Sequence, residues 1–208
     1  MSEIQRMLYI DTETTGLDPE KNGIWQIGGI IEIDGAVKDK FNLVFAPGVG
    51  DVVDEYALKM SGYASEEALR AINNSSNKAF NYFISILEKH ISKFDSKEKF
   101  TLCGYNVGFD DGFLRSWFKK NHEKYYGSYI TPYKIDVYTL TALLWGHDKL
   151  STPKLKLEVV AEHLGIEIKA HDALSDIEAT QKIGKIIIDK FMTVGGTLEE
   201  WVKESQDA

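Results

Sequence analysis

Short apolar runs open the chain in a pattern that is typical of β-strands. Residues 7–10 are largely apolar and predict a buried strand, and residues 23–33 and 37–45 predict two more. Asp34 and Gly35 separate the second and third runs, and this pair is a strong hairpin signal because glycine tolerates the positive φ of a tight turn. We therefore expect the chain to begin with a meander of three strands.

Apolar residues at helical spacing dominate the rest of the chain. Within residues 77–93, for example, Phe83, Leu87 and Ile91 recur every fourth residue. Other predicted helices cover residues 54–60, 65–71, 108–119, 139–145, 154–164, 174–192 and, as a short tail, 197–203. Two further strands are predicted at residues 100–103 and 133–137. Hairpin-joined strands followed by strands that alternate with helices predict an α/β fold with a mixed sheet and helices packed against it.

Length and composition are those of a globular protein. The chain has 208 residues, of which 43% are hydrophobic and 27% are charged, so residues 1–208 are expected to form a single domain. Its longest apolar runs fall far short of the ~20 residues that cross a bilayer, so no membrane partner is expected. Residues 1–6 carry no secretory pattern, which favours a cytoplasmic location.

Cysteine content and net charge exclude some kinds of binding site. Cys103 is the only cysteine, which excludes an internal disulfide and a cysteine-based zinc site and favours a buried structural thiol. The net charge of -8 argues against a protein that coats nucleic acid through a broad basic surface. It is compatible with an enzyme whose central carboxylates are neutralised by bound cations. Net charge alone therefore does not show whether the substrate is a nucleic acid.

Two acidic residues follow the first predicted strand. Asp11 and Glu13 are two residues apart, so in an extended chain both side chains project to one side while Thr12 turns away. Two carboxylates held together favour a shared hard cation. A pair of solvated acids at a strand end is the alternative, because Asp-x-Glu is too short a motif to decide.

A second acidic candidate lies where a predicted strand turns into a helix. Asp110 comes shortly after the strand at residues 100–103, and strand ends at one edge of an α/β sheet are where ligand-binding residues converge. The alternative is an acid favoured by the helix dipole. Asn106 is equally open, since it either caps the helix or offers its amide to a nucleotide.

The third candidate lies at the start of the last long helix. His171 is expected just before this helix and Asp176 in its opening turns. An imidazole near its ordinary pKa can accept a proton from an attacking water beside a metal bound by Asp176. Taken singly, each residue is better explained in a simpler way, His171 as an exposed loop histidine and Asp176 as a surface acid favoured by the helix dipole.

The order and context of these residues resemble the DEDDh (DnaQ-like) family of 3′-5′ exonucleases, in the RNase H-like superfamily. The motifs are DTETTGLDP at residues 11–19, NVGFD at residues 106–110 and HDALSD at residues 171–176. The resemblance runs from Leu8 to about Ile183. It implies an RNase H-like three-layer α/β fold whose mixed five-stranded sheet has three antiparallel strands and then two parallel ones, flanked by helices.

The resemblance also implies a role for each site residue. Four carboxylates would bind two divalent cations, Mg²⁺ or Mn²⁺: Asp11, Glu13, Asp110 and Asp176. His171 would be the general base, and a pair of cations would activate water and stabilise the leaving 3′ oxygen. Thr14, Leu17 and Asn106 would contact the substrate. One departure is Ser61, which stands where many members of the family have a histidine.

The resulting expectation is a hydrolase that releases nucleoside 5′-monophosphates from the 3′ end of a nucleic acid, with single-stranded DNA as the favoured substrate. An oligoribonuclease-like enzyme that acts on RNA is the first alternative, because sequence motifs do not reveal how the 2′-hydroxyl is recognised. A non-catalytic module that binds a polymerase or nucleic acid is the second. Binding to a polymerase and self-association are further possibilities that the sequence leaves open. Five aromatic residues could form a partner surface, but we expect them to pack against the sheet instead: Trp117, Phe118, Tyr125, Tyr126 and Tyr129.

Overall fold

A computed structural model describes residues 5–169 and 172–194. Five strands form one sheet: β1 (Arg6–Thr14), β2 (Ile24–Ile33), β3 (Ala36–Val44), β4 (Phe100–Gly104) and β5 (Ile130–Asp136). The strand order is β3-β2-β1-β4-β5, with antiparallel pairing among the first three strands and parallel pairing from β1 to β4 and from β4 to β5. This confirms the predicted mixed sheet.

Eight helices accompany the sheet in the described part of the chain. They are α1 (Glu55–Ser61), α2 (Glu66–Arg70), α3 (Ser76–Glu88), α4 (Val107–Lys120), α5 (Tyr126–Tyr129), α6 (Val137–Gly146), α7 (Leu157–His163) and α8 (Ala173–Val194). The predicted tail helix at residues 197–203 lies outside the described residues. None of the described helices is long and apolar enough to cross a membrane.

The two faces of the sheet pack against different helices, which gives the three-layer arrangement. Side chains alternate between the faces of a strand. Leu8 and Ile10 of β1 therefore join one core with buried residues of α3 and α4, whereas Tyr9 joins Ile177 of α8 in another. Cys103 of β4 is buried in the second core, and burial raises the pKa of its thiol to about 12. The thiol therefore stays protonated at neutral pH, which agrees with the predicted structural role.

The hairpin prediction is confirmed, and the first strand is longer than predicted. Asp34 and Gly35 both have positive φ, 49° and 79°, between the paired ends of β2 and β3. Strand β1 continues beyond its apolar run to Thr14, because pairing with β2 supplies backbone hydrogen bonds that hydrophobicity does not reveal. Asp11 and Glu13 therefore lie within β1 rather than after it.

Two other boundaries also differ from the predictions. Helix α3 ends at Glu88, although Ile91 beyond it is still buried and keeps the apolar spacing. Strand β5 begins earlier than predicted, at Ile130, which pairs with Phe100. Of the five aromatic residues expected to pack, four are buried and Tyr125 is 55% exposed.

Candidate active site

Three carboxylates converge at one edge of the sheet. Asp11 and Glu13 project from the same face of β1, the face that packs against α8, and Asp176 lies in the first turn of that helix. Oxygen atoms of the three side chains all lie within 4.8 Å of one another. The spacing of two in β1 and the placement of α8 thus bring residues from opposite ends of the chain to one point.

Local hydrogen bonds hold the first turn of α8 in place. The N–H of Asp176 donates to the carbonyl oxygen of Asp172 over 2.9 Å, and the N–H of Ser175 donates to the Asp172 carboxylate over 3.0 Å. The Ser175 hydroxyl accepts from the N–H of Lys169 over 2.7 Å, which ties the turn to the segment before it. The carboxylate of Asp176 is therefore carried on a well-connected turn.

Asp110 approaches this cluster from the other face of the sheet. It lies in the first turn of α4, is 3% exposed, and is not among the three residues whose oxygens meet within 4.8 Å. Its Oδ1 accepts hydrogen bonds from the N–H and the hydroxyl of Thr12, over 2.9 and 2.7 Å. Thr12 turns away from Asp11 and Glu13, so it links α4 to the strand that carries them.

Burial, and then like charges, raise the pKa of two carboxylates at the site, Asp11 and Asp110. The pKa of Asp11 lies well above its ordinary value, first because of burial and then because of three neighbouring carboxylates: Asp110, Asp176 and Glu13. Burial raises the pKa of Asp110 to about 7, although hydrogen bonds from Thr12 oppose the rise. A bound cation relieves this repulsion, so the donor set fits a divalent ion that prefers oxygen ligands.

A pocket of about 290 Å³ opens beside the carboxylates. Glu13 lies in its wall, together with the turn after β1, the start of α1 and Phe109 of α4. Thr14 and Leu17, for which the family resemblance implies substrate contact, both line it, and Leu17 is 81% exposed. An apolar wall formed by Leu17, Met60 and Phe109 suits a ligand with a flat ring.

Asn106 is positioned by its backbone rather than by side-chain capping. Its φ of 64° is left-handed, its side chain makes no cap hydrogen bond, and the residue is exposed. The N–H of Asn106 donates to Oδ1 of Asp136 over 2.8 Å. Asp136 also caps α6 by accepting from the N–H of Tyr138 over 3.1 Å, so it joins the ends of β4 and β5. The amide of Asn106 stays available to a ligand.

Two further expectations concern Ser61 and His171. The hydroxyl of Ser61 donates to the carbonyl oxygen of Leu58 over 2.7 Å and accepts from the N–H of Tyr63, so it serves the end of its own helix. Met60, the residue before it, lines the pocket. His171 lies outside the described residues, two positions before α8 begins at Ala173.

Sequence reasoning missed several residues that shape the site. Thr12 was noted only as turning away, and Tyr56, Met60 and Phe109 were given no role, although all four line the pocket. Thr12 and Phe109 lie within two of the motifs that carry the family resemblance, so their position beside site residues was the available signal. Nothing in the sequence indicates that Thr12 binds Asp110, because that contact joins residues 98 positions apart.

Comparison with known families and proteins gives a consistent result. A family model described as Exonuclease matches residues 8–183. A protein named DNA polymerase III PolC-type, from Thermotoga petrophila, is 26% identical over 201 residues, which cover 96% of this chain and 13% of that protein. Its namesake from Thermotoga maritima is 26% identical over 191 residues, covering 91% of this chain and 12% of that protein. The chain thus matches a small part of these long polymerases.

Solved structures share the fold. The zinc-bound complex of E. coli exonuclease I with single-stranded DNA superposes with a TM-score of 0.73 at 21% identity, covering 91% of this chain and 43% of that one. Exonuclease I from Methylocaldum szegediense gives a TM-score of 0.66 at 20% identity and covers 88% of this chain and 40% of that one. The chain spans less than half the length of either structure, and the likeness establishes the fold.

Proposed function

The chain belongs to the exonuclease family whose model matches residues 8–183, and from this premise we propose that it is a metal-dependent 3′-5′ exonuclease acting on single-stranded DNA. One observation carries the proposal. The carboxylates of Asp11, Glu13 and Asp176 meet within 4.8 Å of one another, beside a pocket whose wall includes Glu13. A reaction at a chain end needs a charged centre next to a cleft that receives the terminal residue, and this edge of the sheet has both.

The carboxylates are proposed to hold two divalent cations, Mg²⁺ or Mn²⁺. Oxygen ligands favour these ions over zinc, which prefers nitrogen and sulfur. Asp11, Glu13 and Asp176 would hold a cation together, since their oxygens already lie within 4.8 Å of one another, and Asp110 would add charge from the first turn of α4. When bound, the cations supply positive charge to the scissile phosphate and the leaving 3′ oxygen.

The remaining steps are assigned to the chain's own side chains. His171 is proposed to accept the proton of the attacking water, on the support of its place in the sequence five residues before Asp176. Thr12 would keep the Asp110 carboxylate directed at the site through its two hydrogen bonds. Leu17 and Phe109 would hold the terminal base in the pocket, so that its phosphodiester faces Glu13.

DNA is the proposed substrate because the curated relatives are named DNA polymerases and E. coli exonuclease I, which shares the fold, forms a complex with single-stranded DNA. A single strand suits the pocket, since a base enters it without first leaving a partner base. Residues 1–208 are proposed to act as one exonuclease domain. The proposal includes removal of nucleotides from the 3′ end of a DNA strand that a polymerase extends.

Digestion of a 5′-labelled single-stranded DNA oligonucleotide with Mg²⁺ or Mn²⁺ tests the function. We expect a ladder of shortened labelled products together with nucleoside 5′-monophosphates. Protection by a 3′-terminal phosphate would be the matched substrate control, because the terminal hydroxyl end is what the pocket is proposed to receive. Digestion that begins at the 5′ end, or within the strand, would contradict the proposal.

The same experiment separates the alternatives. Faster digestion of short RNA than of DNA would favour an RNA-directed exonuclease of this fold. A chain that leaves DNA and RNA intact with either metal would favour a non-catalytic binding module. The Asp11→Asn variant is the control for contaminating nucleases, since the substitution removes charge from the centre of the cluster while preserving side-chain size.

A further inference from the structure

Gly28 of β2 lies directly opposite Asp11 of β1 in the sheet. Directly opposite residues of an antiparallel pair share one face of the sheet. Gly28 therefore presents its bare backbone to α8, on the same face from which Asp11 and Glu13 reach Asp176.

The first turn of α8 rests on this glycine. A Cβ placed at Gly28 would lie 2.5 Å from the carbonyl carbon of Ala173 and 2.6 Å from the backbone nitrogen of Leu174. Separations this short are far inside van der Waals contact. Both atoms belong to the backbone and have no side-chain rotation by which to retreat, so any side chain at position 28 must move the helix or the strand.

The displaced turn would be the one that carries Asp176. Asp176 follows Ala173 by three residues, which is about 4.5 Å along a helix axis. Further along the helix, Gln181 and Lys185 each approach the buried carboxylate of Glu32 to 2.7 Å. Because α8 is anchored there, an added methyl group at Gly28 would lift its first turn instead of shifting the whole helix.

We propose that Gly28 is a positioning residue that sets the distance between Asp176 and the Asp11–Glu13 pair, and thereby the affinity of the site for divalent cations. The inference rests on the proposed function, because it assigns these carboxylates to cation binding. Its physical basis is the absence of a side chain at one residue, which lets a helix backbone approach the sheet closely enough for three carboxylates to meet.

Mn²⁺ binding measured by isothermal titration calorimetry tests the inference without relying on activity. Gly28→Ala is expected to weaken Mn²⁺ binding by about 10–100-fold, the range typical for residues that orient metal ligands. Gly29→Ala is the matched control, since the same methyl is added one residue later and would meet the ring of Phe41 on the other face. This control is expected to bind Mn²⁺ within about twofold of the wild type.

A double-mutant cycle with Asp176→Asn shows whether Gly28 acts through Asp176. If it does, Gly28→Ala weakens binding much less in the Asp176→Asn background than in the wild type, because the ligand it positions is already impaired. Equal weakening in both backgrounds would overturn the inference. Urea unfolding in EDTA measures the structural cost of each variant separately.

Two outcomes distinguish the inference from the proposed function. A wild-type chain that fails to bind Mn²⁺ overturns the proposed function, and this inference with it. A wild-type chain that binds Mn²⁺ and a folded Gly28→Ala chain that binds equally well overturn the inference alone. Should Gly28→Ala not fold, Ala173→Val enlarges the fully buried first residue of the same helix turn and is expected to weaken Mn²⁺ binding in the same way.

Discussion

Thr12 donates two hydrogen bonds to a single oxygen, Oδ1 of Asp110, from its N–H over 2.9 Å and from its hydroxyl over 2.7 Å. Both residues are buried, at 7% and 3% exposure. The pair joins β1 to α4 on the sheet face opposite to Asp11 and Glu13. It also opposes the rise in the pKa of Asp110 that burial causes. Thr12 therefore favours the charged form that a cation requires.

Replacing Thr12 by valine tests this link, since valine keeps the shape and removes the hydroxyl. We expect the free energy of unfolding to fall by about 1–2 kcal/mol, because a buried carboxylate oxygen loses a donor. Mn²⁺ affinity is expected to fall about 10-fold, because Asp110 is held less firmly. Thr141→Val, at another buried threonine bonded to Val137, should lower stability and leave Mn²⁺ affinity unchanged. Unchanged Mn²⁺ affinity in both variants would contradict the proposed role of Thr12.

The stability of the metal-free protein should depend on pH through Asp110. Its pKa is raised from 3.8 to about 7 on folding. A carboxyl with a raised pKa stabilises the fold while protonated, so this contribution is present below about pH 4 and is lost as pH rises through about 7. Asp110→Asn carries no ionisable group and should show a shallower decline over this range, measured by urea unfolding in EDTA.

Asp11 contributes in the same direction, so some decline should persist in the Asp110→Asn variant. The matched control is Asp148→Asn, on an exposed turn with a left-handed φ of 55° that asparagine accepts readily. Its stability should follow the wild-type pH dependence. Identical slopes for Asp110→Asn and the wild type would show that Asp110 is not the titrating group.

Cation binding should stabilise the fold. At about 100-fold excess over Kd, a bound ion adds about 2.7 kcal/mol, which corresponds to a rise in Tm of about 5–10 °C for a chain of this size. Asp11→Asn should abolish most of this rise and the nuclease activity together, because Asp11 is one of the three carboxylates whose oxygens meet within 4.8 Å. Differential scanning fluorimetry with and without Mn²⁺ measures the shift. Cation-independent digestion by the variant would rule out the two-cation site.

His171→Ala should lower kcat by about 10²–10⁴-fold and leave the affinity for DNA nearly unchanged, because a general base acts on the reacting water and not on substrate binding. Single-turnover rates and fluorescence anisotropy separate the two effects. His147→Ala provides the control, since His147 is exposed at the end of α6 and matches no motif. Full activity of His171→Ala would remove the assigned base.

Leu17→Ala should raise KM for single-stranded DNA several-fold with little change in kcat. The side chain is 81% exposed in the pocket wall, so its removal affects substrate contact and costs little stability, within about 0.5 kcal/mol. Val49→Ala, at a fully exposed valine outside this pocket, is the comparison and should leave KM unchanged. An equal effect of both substitutions would argue against a substrate contact at Leu17.

Local sequence patterns were sufficient to predict those structural features that depend only on residues close together in the chain. The alternation of β1 already indicated that Asp11 and Glu13 share a face, because side chains two apart in a strand project together. Asp34 and Gly35 indicated the hairpin for an equally local reason. The order of the motifs was enough for the family and for the mixed sheet. The ends of strands were harder to predict from the sequence, since β1 extends to Thr14 only through its pairing with β2.

Contacts between distant parts of the chain were decided by the tertiary structure alone. Asp176 meets Asp11 because α8 packs closely over Gly28, and a glycine in an apolar strand does not by itself indicate which backbone will approach it. Thr12 binds Asp110 across 98 positions, at a separation where no periodicity links the two residues. The residues of the carboxylate site could thus be identified from the sequence, whereas their spacing arises from packing between a helix and a sheet.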